Sequence, residues 1–155
     1  MIKLAIKELN LDESLILKLS GRMDLMPIDY LNACKGERVI VSLTPDKDVA
    51  SIAFIHSIDK EQYIKEYCNM MPCGDFVWIR DNIIDKVKDN GIWLGVLESL
   101  IKGKGYGTQI LNALKNKYDS IIVFADGGAD YYWLKQGFKG IGTGMYIWAK
   151  LEMAL

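Results

Sequence analysis

Ile92-Trp93-Leu94-Gly95-Val96-Leu97, followed shortly by Lys102-Gly103-Lys104-Gly105-Tyr106-Gly107, is the stretch on which the reading of the fold turns. The first part is a continuous apolar run of strand length, as expected for a strand buried on both faces. The second is a glycine-rich turn. Beyond it Tyr106, Ile110, Leu111, Leu114 and Tyr118 recur at helical spacing and predict one apolar helix face. Ile121-Ile122-Val123-Phe124-Ala125 then reads as a second buried strand. Strand, crossover helix and strand form a βαβ unit, which pairs its strands in parallel with a right-handed crossover.

A glycine-rich turn between a buried strand and a helix has a specific physical use. Successive backbone N–H groups point into the turn, and the first donors of the helix lack intrahelical partners. The helix dipole adds partial positive charge at the same place, which suits a phosphate or pyrophosphate. Glycine lets the backbone approach a ligand closely, and Lys102 and Lys104 add counter-charge. A Walker-type loop would end in Gly-Lys-Ser/Thr, whereas Gly107-Thr108-Gln109 stands here. A dinucleotide fingerprint would read Gly-x-Gly-x-x-Gly, whereas Gly103, Gly105 and Gly107 are spaced Gly-x-Gly-x-Gly. On these residues alone, a tight turn that binds nothing stays open beside a phosphate cradle.

Towards the C-terminus, Asp126 is placed to cap a short helix that buries Ala129, Tyr132 and Trp133. Gly137-Phe138 ends it, and Met145 to Leu151 supplies a last strand. Towards the N-terminus, residues 58–90 are the least legible. Before them, Arg38 to Leu43 and Val49 to His56 read as strands joined by Pro45-Asp46-Lys47-Asp48, an antiparallel hairpin. Pro27 opens a short helix over Ile28 to Asn32. Asp12 caps a helix through Leu15, Ile16 and Leu19 with Gly21 as its stop, and Ile2 to Leu9 reads as the first strand.

Composition bounds the rest. The 155 residues suit one domain, 1–155, long enough to bury a core without staples. Lys plus Arg number 19 against 20 Asp plus Glu, so the balance gives no footprint for a long nucleic acid. Cys34, Cys68 and Cys73 form neither a disulfide framework nor a zinc spacing, and His56 is the single histidine; no metal site is expected. The cysteines read as small buried hydrophobes, and His56 as a satisfied strand residue rather than a catalyst. The first residues are too charged for a signal peptide, and no run approaches the roughly 20 apolar residues of a spanning helix. A cytoplasmic protein with no membrane partner is expected.

Two segments carry a resemblance. Lys102, Gly105 and Gly107 occupy the positions of the acetyl-CoA motif of the GNAT superfamily of N-acetyltransferases: Arg or Gln, two residues, Gly, one residue, Gly or Ala. Lysine replaces the usual Arg or Gln. Gly105-Tyr106-Gly107-Thr108 looks most like the general-control type of histone acetyltransferase. Ala125-Asp126-Gly127-Gly128-Ala129 through Lys135-Gln136-Gly137-Phe138 resembles that type's next motif, in the right order and at the right distance. The likeness covers roughly residues 91–151.

The resemblance implies an α/β fold of GNAT type, with a mixed, mostly antiparallel sheet, one parallel splayed strand pair and flanking helices. It implies that acetyl-CoA (or CoA) lies between strands 92–98 and 120–125. Its pyrophosphate would sit on the amides of Lys102, Gly103, Lys104, Gly105, Tyr106 and Gly107, with Thr108 as a further cofactor-binding residue. Its pantetheine would pair with backbone near Leu97 and Ser99. A backbone N–H near Leu97 would hold the thioester carbonyl, and Ala129 and Tyr132 would line the cofactor. The reaction implied is direct attack of a primary amine within a ternary complex, which needs a neutral amine and hence a proton acceptor. The histone-type glutamate falls at Gly91, leaving Asp89 and Glu98 as candidates, with Glu98 preferred as nearer the thioester. The tyrosine that protonates the thiolate in many relatives falls at Trp133, with Tyr131 and Tyr132 read as core packing.

The acceptor implied is a small-molecule amine, or a protein lysine or N-terminus; Asp24 and Asp29 would attract such a cation, or serve as plain surface charge. Monomer and homodimer both remain open. Two alternatives stand beside this reading. One is a toxin-like acetyltransferase acting on aminoacyl-tRNA. The other is a catalytically silent CoA-binding sensor or interaction domain, motivated by Gly91 and Trp133.

Overall fold

The computed structural model describes residues 2–58, 90–125, 128–142 and 144–150. The expectations placed on residues 59–89, on Asp126 as a helix cap and on Leu151 as a strand end lie outside the described residues, and so do Cys68 and Cys73. The described strands are β1 (Ala5–Asn10), β2 (Arg38–Leu43), β3 (Val49–Ser57), β4 (Gly91–Ser99), β5 (Ser120–Phe124), β6 (Lys139–Gly142) and β7 (Met145–Ala149). The described helices are α1 (Glu13–Leu19), α2 (Ile28–Ala33), α3 (Tyr106–Lys117) and α4 (Asp130–Lys135). None of them is long and apolar enough to cross a membrane.

The strands form a mixed sheet in the order β1-β2-β3-β4-β5-β7-β6, with the single parallel pair made by β4 and β5 across the α3 crossover. By its contacts the chain divides into two compact units, Met1–His56 with Leu94–Lys117, and Ser57–Trp93 with Tyr118–Leu155.

In the first unit the period-two geometry of the strands sorts side chains onto two faces. Val39 pairs with Phe54 and Val41 with Ile52. These four pack with Leu15, Ile16, Leu19 and Leu31 of α1 and α2 in the main core. The alternate positions, Ile40 opposite Ala53 and Ser42 opposite Ser51, face the other way. That is the face on which Tyr106, at the start of α3, packs with Leu4 and Ala50. The parity breaks at a bulge between Ser42 and Leu43, which is why Val49 shares the main core with Ile52 and Phe54 while Ala50 joins the other cluster. Helix α1 begins where Asp12 accepts the N–H of Leu15 at 2.8 Å, the expected cap. Cys34 is half-buried, and desolvation, followed by the neighbouring Glu37, pushes its thiol above the ordinary range.

The second unit holds the antiparallel β5–β7 and β6–β7 ladders. Trp133 of α4 is buried and meets Phe138 edge-on at 5.0 Å.

Several expectations need correction. Strand β4 is not buried on both faces: Ile92, Leu94 and Glu98 are buried, whereas Gly95 is exposed and Trp93, Leu97 and Ser99 are half-open. Phe124 closes β5 with its ring 56% exposed rather than buried. Of the aromatics and alanine assigned to the core around α4, only Trp133 is buried; Ala129 and Tyr132 are half-buried and Tyr131 is exposed. Six residues make fewer than two helical turns, so α4 buries a single side chain well. Strand β6 was not anticipated, because Lys-Gly-Ile-Gly carries no apolar alternation and is defined by its pairing with β7.

The Asp12 cap yields a direct test. Asp12→Ala should lower stability by about 1 kcal/mol through one orphaned helix donor. The measurement is the urea unfolding midpoint, and Asp12→Asn should recover most of the loss.

Candidate functional site

Strand β4 delivers the chain to the glycine turn. Near the end of this strand Val96 packs against the main core, and Glu98 is buried. Its odd residues Gly95, Leu97 and Ser99 line the half-open face. At the strand end the amides of Leu100 and Ile101 both donate to the carbonyl of Ala50, at 2.8 and 3.1 Å. This double bond to β3 anchors the start of the turn.

In the turn, Gly103 and Gly105 have φ of 75° and 73°, values that side chains other than glycine adopt only with strain. Gly107 is a glycine for a different reason: a Cβ there would lie 2.9 Å from Ser99 Oγ. Among the described residues the amides of Lys102, Gly103, Lys104, Gly105 and Tyr106 have no protein acceptor. The first helical bond runs from Gln109 N–H to the Gly105 carbonyl at 3.1 Å. A row of amides without protein acceptors therefore leads into the N-terminus of a 12-residue helix, an arrangement suited to an anion.

The first turn of α3 is tied to the sheet twice. Ser51 Oγ, fully buried on β3, donates to the Tyr106 carbonyl at 3.0 Å. That uses its only proton, so the hydrogen bond between Ser42 and Ser51 must be donated by Ser42. Ser99 Oγ accepts the Gly107 N–H at 3.0 Å. The expected pyrophosphate cradle of Lys102 to Gly107 is thus shortened by one donor, because a side chain already holds the Gly107 amide.

Glu98, the preferred base, has a different set of partners. Its Oε2 accepts the Asp24 N–H at 2.8 Å and its Oε1 the Leu25 N–H at 2.9 Å. Lys102 Nζ lies 3.4 Å from Asp24 Oδ2 and 3.9 Å from Glu98 Oε2. The Lys102 side chain is 61% exposed, so these ion pairs are screened and each contributes below about 1 kcal/mol. The amide bonds, which are charge-assisted, dominate. Glu98 pins the segment between α1 and α2 onto the end of β4. Both lysines are exposed, but the Lys102 charge is directed at carboxylates, whereas Lys104 has no ion-pair partner among the described residues. Asp24 and Asp29 are both exposed, and Asp89 lies outside the described residues.

The structure therefore brings Leu97, Glu98, Ser99, Lys102, Gly103, Lys104, Gly105, Tyr106, Gly107 and Thr108 together at one strand–helix junction. Ala129 and Tyr132 belong to the other unit, where Ala129 precedes α4 and the Tyr132 ring meets Trp133 edge-on at 5.0 Å. His56, next to last in β3, is exposed, with Nε2 3.5 Å from Glu37 Oε2. A groove of about 430 Å³ runs along α3 at Lys3, Ile6, Gln109, Asn112, Ala113 and Asn116 and includes none of the expected site residues. Sequence reasoning missed the side-chain work of Ser42, Ser51 and Ser99. The available signal was a serine inside each of two apolar strands, since a buried hydroxyl needs a partner.

The fold is that of the GNAT N-acetyltransferases, as the sequence resemblance implied. Among solved structures the chain is similar to the Bacillus subtilis N-acetyltransferase YlbP in complex with coenzyme A, with 13% identity, a TM-score of 0.60, and 94% of this chain and 96% of that one covered. It is similar to Tetrahymena GCN5 at 16% identity and a TM-score of 0.61, covering 96% and 97%. The catalytic domain of the Tetrahymena GCN5 histone acetyltransferase in complex with coenzyme A aligns at 15% identity and a TM-score of 0.51, covering 100% and 97%. No family model and no curated protein matches the sequence.

The Glu98 geometry generates a prediction about stability. Glu98→Ala should lower it by about 1–3 kcal/mol, because two part-buried amides lose their acceptor. Glu98→Gln, with one acceptor oxygen in place of two, should fall between. Unfolding midpoints identical to wild type would show that the carboxylate does not hold the segment.

Proposed function

We propose that the chain is an acetyl-CoA-dependent N-acetyltransferase that acts as one domain, residues 1–155, on a primary amine by direct attack. The observation that carries this reading is the row of amides from Lys102 to Tyr106, without acceptors among the described residues and fed by β4 into α3. Five donors at a helix N-terminus fit a pyrophosphate, and the likeness in fold to acetyltransferases supports this reading over a nucleotide hydrolase. The half-open face of β4 at Gly95, Leu97 and Ser99 would receive the pantetheine along the strand. Ala129, half-buried just before α4, and Tyr132, half-buried within it, are further proposed cofactor contacts.

Bound acetyl-CoA supplies an activated thioester; the chain must orient it and remove a proton from the amine. A backbone N–H near Leu97 is the proposed oxyanion donor. A lysine-like amine has a pKa of about 10.4, so a proton acceptor is required near neutral pH. Asp89 and Glu98 remain the proposed acceptors. Glu98 would act through the lone pairs that its two amide partners leave open, directly or by way of a water. The acceptor class proposed is a small-molecule amine, or a protein lysine or N-terminus.

A second reading has a specific observation behind it. Glu98 is engaged by backbone amides, Gly91 offers no side chain, and Trp133 is buried at the position of the usual acid. Those features suit a domain that binds CoA without turnover.

Titration calorimetry with acetyl-CoA and with CoA tests both readings. Micromolar binding is expected, and Gly105→Asp should abolish it by adding a side chain and a negative charge where φ is 73° and phosphates would sit. Unchanged affinity in that variant would remove the glycine turn as the cofactor site. Thiol release over a panel of amines then separates enzyme from silent binder.

A further inference from the structure

We propose that Ser99 and Gly107 act as one coupled pair, through which the Ser99 hydroxyl positions the cofactor loop. This rests on the acetyl-CoA reading for its functional meaning but not for its geometry. The motif that the turn resembles accepts Gly or Ala at the second glycine. In this chain an alanine methyl would lie 2.9 Å from Ser99 Oγ, while Leu97 would stand at an ordinary 3.8 Å. The obstacle is therefore Ser99 alone.

Ser99 cannot yield without loss. Its Oγ accepts the Gly107 N–H at 3.0 Å, and rotation of χ1 to clear a methyl would take the oxygen off that amide. The close approach and the hydrogen bond are one constraint: the helix start sits low enough on β4 for a serine to reach it only because residue 107 has no Cβ. With the Gly107 amide held by protein, the donors left for a pyrophosphate are those of Lys102 to Tyr106, and Ser99 fixes their height above the strand. Ser51 holds the carbonyl side of the same peptide group, so the plane of the Tyr106–Gly107 unit is set from both ends. Ser99 is thus a positioning residue acting through Gly107, and among the described residues its hydroxyl proton has no acceptor.

The test is a double-mutant cycle of Ser99→Ala, Gly107→Ala and the two combined, read by the dissociation constant for CoA, by the thermal midpoint without CoA, and by amide hydrogen exchange at residue 107. Ser99→Ala should speed exchange of the Gly107 amide about tenfold or more and weaken CoA about fivefold. Gly107→Ala should weaken CoA at least as much. The double variant should bind no worse than Ser99→Ala, far short of the product of the single losses. Multiplying losses, or unchanged Gly107 exchange in Ser99→Ala, would overturn the pairing. If wild type binds no CoA, the acetyltransferase reading fails while exchange and thermal midpoints still decide the pair. If Gly107→Ala does not fold, the exchange rate in Ser99→Ala decides it alone.

Discussion

One peptide group, between Tyr106 and Gly107, carries the registry on which the rest of the junction depends. Its carbonyl accepts the Ser51 hydroxyl and its N–H donates to Ser99, so two strands of the sheet grip the first turn of α3. A helix start is normally the part that frays, because its first donors lack partners. Here the sheet supplies partners at one peptide and leaves the preceding amides without acceptors among the described residues. The cost of burying the Ser42 and Ser51 hydroxyls is offset because each has a defined role: Ser42 donates to Ser51 and Ser51 to Tyr106, while the half-open Ser99 accepts from Gly107. The bulge between Ser42 and Leu43 belongs to the same device, since it lets Ala50 hold Leu100 and Ile101 while Ser51 holds Tyr106.

The opposite face of β4 solves a different problem with a charge. Glu98 follows Val96 onto the α1–α2 side, where an apolar residue would be expected. A buried carboxylate there is tolerable because two amides meet it, one on each oxygen, and Lys102 stands near. Adjacent residues of one strand thus fix two separate pieces of chain, Glu98 the segment at Asp24 and Leu25, Ser99 the start of α3. Anything that shifts the end of β4 moves both. Under the proposed function this would tie the segment at Asp24 and Leu25, on the proposed acceptor side, to the placement of the proposed cofactor loop.

The parts legible in the sequence were those whose signal is local. Asp12 before an apolar period, Pro27 before Ile28, the β2–β3 hairpin and the glycine turn into α3 were read with bounds close to those observed. The fold followed from two motifs and their spacing. What sequence could not give was parity. The apolar run from Ile92 to Leu97 looks buried on both faces, yet Gly95 is exposed and Leu97 half-open, because apolar composition does not say whether a facing layer covers a strand. Phe124 and Tyr132 were misjudged for the same reason, and β6 was invisible because it exists by pairing rather than by propensity.

The side chains that shape the candidate site were illegible in a more instructive way. Glu98 was read as a base because carboxylates near thioesters do chemistry, and Ser99 was read only for its backbone. Their partners, Asp24 and Gly107, sit 74 and 8 residues away, and both are reached through main-chain amides that no sequence pattern marks. Gly107 itself looked like the flexible end of a glycine-rich turn. Its φ is not in the left-handed region, unlike those of Gly103 and Gly105, so conformational freedom is not what it provides. It provides the absence of a methyl group. A glycine chosen for φ tolerates any neighbour, whereas a glycine chosen for space is defined by the atom that occupies that space, here Ser99 Oγ. The two kinds of glycine share a motif but answer to different substitutions, and only the second can be relieved by changing another residue.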